Sequence, residues 1–245
     1  MASHYSILNI FKQRKRMSQW LKKWIIRILI SFFVFSIVIT LPLKFINPFV
    51  WSWKVQRAWF PPEQYRHYSP SDWVNLDNIS PYMQLSVIAS EDQRFPKHYG
   101  IDFVSTQKAI ADMISGERFR GASTLTQQTV KNLYLWPGKD IFRKALEAYL
   151  SLLVELEWGK SRVLEIYLNI VEFGPGIFGV QAASLHYYGI PASQLSMSQA
   201  ARLAAVLPNP YKFDVQNPTP YVWQRVDWIE TQMNQLGLGY LKEMD

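Results

Sequence analysis

Apolar residues recur at helical spacing along most of the chain. Ser80-Pro81 is an N-cap followed by proline at the first helical position, and it predicts a helix that runs to Glu91. Further helix starts are predicted at Asp102, Asp140, Ser161, Ser196 and Thr219. Because no alternating stretch of strand character is convincing, the pattern predicts an all-α fold.

The helix predicted after Asp140 has two contrasting faces. Its apolar residues recur at 4-3-4-3 spacing, which predicts the face that packs on the core. Arg143 and Glu147 are i, i+4 neighbours on the opposite face, and taken alone they predict a surface ion pair. The apolar residues of this helix are Phe142, Leu146, Tyr149, Leu153 and Leu156.

The segment GASTLTQQTVKN, residues 121–132, has a polar stripe where an apolar one is usual. If Ser123 caps this helix, four polar residues, none of them acidic, fall at i, i+3, i+4 and i+7. Val130 and Leu133 lie on the other side and are predicted to face a core. The four polar residues of the stripe are Thr124, Gln127, Gln128 and Lys131.

Charge is distributed unevenly along the chain. The net charge of +7 comes from 26 Lys and Arg against 19 Asp and Glu, yet residues 1–62 hold ten basic residues and no acid. Residues 63–245 therefore carry a net charge of −3, which argues against nucleic acid as a partner. The chain has no cysteine, and its four histidines show no zinc-ligand spacing.

The basic N-terminal segment precedes an uncharged run over residues 28–43. With its flanking apolar residues this run predicts a transmembrane anchor over residues 24–46, following a basic cytoplasmic tail over residues 1–23. A cleaved signal peptide is the alternative, but no small-residue cleavage pattern follows. Trp51 and Trp53 are expected in an interfacial aromatic belt. The rest divides into a juxtamembrane linker (47–69), a main domain (70–237) and a C-terminal tail (238–245).

Two acidic stretches are candidates for chemistry. Glu91 and Asp92 fall at a helix C-terminus, where an unpaired carboxylate should have a raised pKa that suits acid–base catalysis. The alternative is a solvated acidic pair with Arg94 and Lys97 as partners. In LEIYLNIVEFGPGIFG, residues 164–179, three polar residues share one predicted helix face before a glycine-rich turn: Glu165, Asn169 and Glu172.

Four stretches in this order, EDQRFPKHYG, GASTLTQQTVKN, RKALE and VLEIYLNIVEFG, resemble the peptidoglycan glycosyltransferase domain of the family 51 glycosyltransferases. The resemblance spans roughly residues 70–235 and implies a lysozyme-like helical fold in a monofunctional, membrane-anchored form. The late double arginine of the family appears here as Gln224-Arg225, so this site receives no role.

The resemblance implies polymerisation of lipid II into glycan strands by inverting transfer, with β-1,4 bonds formed and undecaprenyl diphosphate released. It implies Glu91 and Glu147 as catalytic residues and no tightly bound cofactor, with Mg²⁺ or Mn²⁺ at the pyrophosphate as an option and no metal ligands identified. The implied substrate-binding residues are Asp92, Phe95, His98, Ser123, Thr124, Gln127, Gln128, Lys131, Asn132, Arg143, Lys144, Glu165 and Asn169.

Two other functions fit parts of the sequence. A membrane-anchored lytic transglycosylase uses one Glu on the same glycan but has no pyrophosphate to hold, and an anchored glycan-binding scaffold needs no ordered set of acids and cations. The implied partners are lipid II, the lipid-linked glycan and the membrane, with other cell-wall synthesis and division proteins as further candidates. The implied location is the bacterial inner membrane, single-pass, with the catalytic domain in the periplasm.

Overall fold

The computed structural model describes residues 2–66, 73–115, 123–138 and 140–244. The chain forms two compact units, Met1–Pro42 and Leu43–Asp245. The first unit consists of helix α1 (Ala2–Thr40) and the start of a short 3-10 helix, Leu41–Lys44. By length and composition the stretch Met17–Lys44 qualifies as a membrane span, as expected for an anchor.

The second unit is predominantly helical, as the sequence predicts. Short 3-10 turns also occur, the last of them at Leu238–Met244 in the predicted C-terminal tail. The helices are α2 (Ser52–Trp59), α3 (Pro81–Glu91), α4 (Phe103–Ile114), α5 (Leu125–Tyr134), α6 (Ile141–Trp158), α7 (Lys160–Ile170), α8 (Val180–Tyr188), α9 (Met197–Val206) and α10 (Pro220–Leu236).

Local capping chemistry sets most helix starts where the sequence places them. The side chain of Asp140 accepts from the backbone N–H of Arg143 at the start of α6, and Thr219 accepts from that of Val222 at the start of α10. Ser196 and Gln199 form the predicted capping box of α9. These predictions are confirmed because caps depend only on residues three positions apart.

Helices α3 and α7 form the centre of the second unit. Eight of the eleven residues of α7 are buried, and α3 buries seven consecutive residues from Met83 to Ala89. Helix α3 packs against α9 and α10, while α5 packs against α2, α6 and α7. Val130 and Leu133 of α5 are buried, which confirms the predicted core side of that helix.

The orientation predicted for α6 is wrong in part. Phe142 and Leu156 are 70% and 85% exposed, whereas Arg143 and Glu147 are 8% and 2% exposed. The polar side can be buried because its charged groups pair with one another inside the domain, as described below. The apolar stripe is divided: Leu153 is buried, Leu146 and Tyr149 are half-buried, and Phe142 and Leu156 are exposed.

A small hairpin interrupts the helices. Strands β1 (Glu172–Gly174) and β2 (Ile177–Phe178) pair antiparallel, with Glu172 opposite Phe178. The all-α prediction missed this hairpin, and Glu172 lies on β1 rather than on the helix face predicted for it, because α7 ends at Ile170. Gly179 leaves the hairpin with a positive φ of 84°, and a Cβ there would lie 2.7 Å from the backbone oxygen of Asn169.

Candidate active site

Glu91, the last residue of α3, is held by side chains from two other helices. Gln128 of α5 donates from Nε2 to Oε2 of Glu91 over 3.1 Å. Arg225 of α10 donates from Nη2 to Oε1 over 3.1 Å. The hydroxyl of Tyr167, on the central helix α7, donates to Oε1 of Gln128 over 3.3 Å. The carboxylate is therefore fixed on both oxygens where three helices meet.

Burial raises the pKa of Glu91, and the charge of Asp92 adds to this effect. The hydrogen bond from Gln128 and the positive charges of Arg225 and Lys131 act in the opposite direction. The expected upward direction of the pKa shift is confirmed and burial is its main cause, but the carboxylate is not unpaired as expected. Arg225 pairs with Glu91, so the position that received no role from the sequence borders the candidate base.

Arg94 and Lys97 are not the partners of this acidic pair. Arg94 forms an ion pair with Asp102 and Lys97 forms one with Glu243. The alternative of a solvated Glu91–Asp92 pair neutralised by its neighbours in sequence is thus wrong.

Asp92 faces a different environment from Glu91. Its two carboxylate oxygens each lie 3.0 Å from Nε2 of His98, and Oδ2 accepts from the backbone N–H of Leu125 over 2.9 Å. Phe95 is fully buried beside His98. Asp92 thus holds the first residue of α5, and the predicted part of all three residues in substrate binding stays a prediction.

The N-cap of α5 is Thr124, one residue later than the predicted Ser123. Thr124 and Gln127 form a reciprocal capping box, and the Thr124 hydroxyl donates to the backbone oxygen of Gly100 over 2.6 Å. Both residues are buried, so the predicted polar stripe is divided. Its first half stabilises the helix start. Its second half lies at the charged site: Gln128 bonds Glu91, and Lys131 lies near Glu91 and the charged residues of α6. Gly121 lies outside the described residues.

Lys131 connects the two charged parts of the site. Within the part of the chain that the structure describes, no carboxylate forms an ion pair with its ammonium group. Burial lowers the pKa of Lys131, the charges of Glu147 and Glu91 raise it, and those of Arg143 and Lys144 lower it. The charges of the candidate base and of the α6 cluster thus both act on the pKa of Lys131. The neighbouring Asn132 is buried in α5.

Arg143, Lys144 and Glu147 form a compact cluster on α6. Arg143 Nη1 lies 2.7 Å from one oxygen of Glu147, and Lys144 Nζ contacts the other. Lys144 also donates to the hydroxyl of Ser123 over 2.9 Å. The surface ion pair expected from the sequence is instead a buried Arg143–Glu147 pair, to which the half-exposed Lys144 adds a second cation.

Glu165 and Asn169 lie apart from the Glu91 contacts. Glu165 Oε2 accepts from the backbone N–H of Leu76, and Asn169 bonds both the N–H and the carbonyl of Val74. Glu165 lines a cavity of about 460 Å³ that does not include Glu91 or Lys131. In this structure the two side chains hold the segment that leads into α3, and their predicted role in binding is untested.

Helix α2 supplies site neighbours that the sequence did not reveal. The ring of Trp53 lies 5.8 Å from Nζ of Lys131, and Trp51 is buried against Phe178. The expected place of both tryptophans in a membrane-interface belt stays a prediction. No local pattern signals these contacts, since Trp53 and Lys131 are far apart in sequence.

The described residues form no metal site built from protein groups alone, and the expected Mg²⁺ or Mn²⁺ at the pyrophosphate stays a prediction. Both oxygens of Glu147 are taken by Arg143 and Lys144, and the described ranges contain no group of three acids or histidines arranged to hold a metal. Arginine and lysine are the groups that counter negative charge in this cluster.

The fold and the site define a helical enzyme with one fixed, largely buried carboxylate beside a cluster of cations. The family model for transglycosylases matches residues 61–234, and the chain belongs to this family. It is 51% identical over 226 residues, 91% of each chain, to a biosynthetic peptidoglycan transglycosylase from Shewanella amazonensis. Proteins of the same name from Aeromonas hydrophila (50% over 211 residues; 86% and 89% covered) and Vibrio parahaemolyticus (48% over 223; 91% and 97%) are also similar.

Proposed function

We propose that the protein polymerises peptidoglycan glycan strands from lipid II. Glu91 takes the proton of the 4-hydroxyl on the N-acetylglucosamine of the acceptor. The resulting oxygen attacks C1 of the donor N-acetylmuramic acid from the face opposite the pyrophosphate. A β-1,4 bond forms, the bond between C1 and the pyrophosphate breaks, and undecaprenyl diphosphate leaves with the electron pair.

The geometry of Glu91 suits a general base. A carboxylate fixed on both oxygens by Gln128 and Arg225 needs no reorientation before it accepts a proton. Its raised pKa makes it a stronger base than a solvated glutamate, while Arg225 favours the ionised form that the reaction requires.

The observation that carries the proposal is the position of Lys131 between Glu91 and the α6 cluster. A reaction that releases a pyrophosphate develops negative charge at a defined distance from the base, and a fixed cation stabilises that charge. Lys131 has no carboxylate partner among the described residues, so its charge is available to the leaving group. We propose that Arg143 and Lys144 assist it and that Glu147 orients them.

The membrane segments support the same substrate. The apolar stretch Met17–Lys44 would keep the enzyme in the bilayer that holds both lipid-linked substrates. The exposed apolar side chains of Phe142 and Leu156 on α6 suit a second unit that works next to the membrane surface. We propose that the catalytic unit lies on the periplasmic side of the inner membrane.

Incubation of the full-length protein with lipid II in detergent tests this function, with glycan polymer separated by gel electrophoresis. We expect polymer from the native chain and a loss of about 10²- to 10³-fold in rate for Lys131→Ala. Lys97→Ala, an exposed lysine paired with Glu243, is the matched control and should retain full activity. No polymer from the native chain, or full activity in Lys131→Ala, would contradict the proposal.

A further inference from the structure

Helix α2 lies outside residues 61–234, the part that matches the family, yet it is fixed to the helix that carries Lys131. Ser52 donates from its hydroxyl to the backbone oxygen of Leu135 over 2.8 Å, and Gln56 donates from Nε2 to the same oxygen over 2.9 Å. Leu135 is the C-cap of α5. The juxtamembrane helix is therefore attached at the end of α5 nearest the lysine.

The ring of Trp53 is fixed independently of Lys131. Its Nε1 donates to Oε2 of Glu172 over 3.3 Å, and Arg57 donates from Nε to the same oxygen over 3.1 Å. The guanidinium carbon of Arg57 lies 4.8 Å from the centre of the Trp53 ring. Glu172 is itself buried, and its other oxygen accepts from the Gly176 N–H and the Tyr211 hydroxyl. The position of the indole is thus determined by groups other than the lysine.

Lys131 Nζ lies 5.8 Å from the centre of this ring, within the reach of a cation–π interaction. A carboxylate partner would hold the ammonium group but would also cancel its charge. An aromatic ring attracts the same group and leaves the full positive charge available to an anion. Trp53 therefore holds Lys131 in place without neutralising the charge that a leaving pyrophosphate requires.

We propose that Trp53 is a positioning residue for Lys131 and that helix α2 completes the pyrophosphate-binding side of the active site. Trp53 acts through the lysine and not on the substrate. This inference rests on the proposed function, because it concerns the site of the same leaving group.

The test compares two substitutions that remove the same hydrogen bond. Trp53→Phe and Trp53→Leu both lose the indole N–H donated to Glu172, but only Trp53→Phe keeps an aromatic face. With the full-length protein and lipid II, we expect kcat/KM to fall roughly twofold to thirtyfold in Trp53→Leu, the range of a cation–π contact, and to recover largely in Trp53→Phe. Trp59→Leu is the control, because Trp59 is on the same helix but 76% exposed, and it should match the native protein.

A double-mutant cycle separates positioning from a general structural effect. In a Lys131→Ala background the substitution Trp53→Leu should cause no further loss of lipid II binding, because the cation that it positions is gone. If native protein forms no polymer, the proposed function fails. If native protein forms polymer but Trp53→Leu and Trp53→Phe are equally active, or the losses in the cycle are additive, the inference is overturned. Should thermal unfolding show Trp53→Leu to be unfolded, Trp53→Met replaces it under the same criteria.

Discussion

Arg225 donates a hydrogen bond from Nη2 to Oε1 of Glu91 over 3.1 Å, although the two residues are 134 positions apart in sequence. The contact brings the last long helix, α10, to the C-terminal end of α3. It places a permanent positive charge on a carboxylate that burial would otherwise tend to protonate. Arg225 thereby keeps the candidate base ionised at a lower pH than burial alone would allow.

Arg225→Ala should move the acidic limb of the pH–rate profile to higher pH. The charge of Arg225 lowers the pKa of Glu91, so its removal raises that pKa and a larger share of the base is protonated at any given pH. Arg225→Lys should restore part of the shift. The neighbouring Gln224 is exposed, and Gln224→Ala is the control. If the acidic limb of kcat/KM for lipid II stays at the same pH in Arg225→Ala, the arginine does not set the pKa of Glu91.

Helix starts were predictable because each depends on residues three positions apart. Ser196 with Gln199, and Thr124 with Gln127, make the same reciprocal capping box, although the sequence placed the second cap one residue early, at Ser123. Composition and hydropathy likewise predicted the apolar N-terminal helix.

Contacts between distant segments were not predictable from local pattern. The face of α6 that packs inward was missed because it is polar: Glu147 accepts from Arg143 and Lys144 of the same helix, and Glu155 accepts from Thr126 of α5. Hydrophobic periodicity assumes that the apolar face is the buried one, which fails where a charged cluster is the buried feature. The contacts Glu91–Arg225 and Lys131–Trp53 join residues far apart in the chain, and no local sequence pattern predicts them.

Glu91→Gln should abolish polymerisation without lowering stability at neutral pH. Because burial raises the folded-state pKa of Glu91, its ionised form costs stability at pH values above that pKa, and the amide removes this cost. The advantage of the variant in melting temperature should shrink as pH falls through the raised pKa and vanish below the ordinary value for glutamate. Thermal unfolding at several pH values measures this, and a variant that is clearly less stable at pH 7 would contradict it.

Arg143→Ala should destabilise the fold far more than Lys144→Ala. Arg143 and Glu147 are both buried, so loss of the arginine leaves a buried carboxylate that keeps only Lys144 as a partner. Breaking such a pair costs up to about 3–5 kcal/mol, whereas a half-exposed lysine contributes roughly 0–1 kcal/mol. Denaturant unfolding of both variants gives the comparison. Equal losses would mean that the Arg143–Glu147 pair is not a buried structural unit.

Deletion of residues 1–42 should leave the second unit folded and active on lipid II in detergent. The deleted residues form a separate compact unit and contain none of the groups around Glu91. Activity on lipid II in vesicles should fall, because the anchor raises the enzyme concentration near its substrates. Circular dichroism and both assays check this. A folded truncated protein with no activity in any detergent would assign the N-terminal helix a role in the chemistry itself.

The most direct test of a synthetic role for Glu91 offers the full-length protein two substrates in separate reactions. One reaction contains lipid II, and the other contains polymeric, uncrosslinked glycan. Synthesis requires Glu91 ionised, so the rate should rise with pH through its pKa, whereas lytic cleavage requires the carboxyl protonated and gives the opposite limb. Chromatography and mass spectrometry identify the products. We expect polymer from lipid II, rising with pH, and no anhydro-muropeptides from the glycan; anhydro products without polymer would contradict the account.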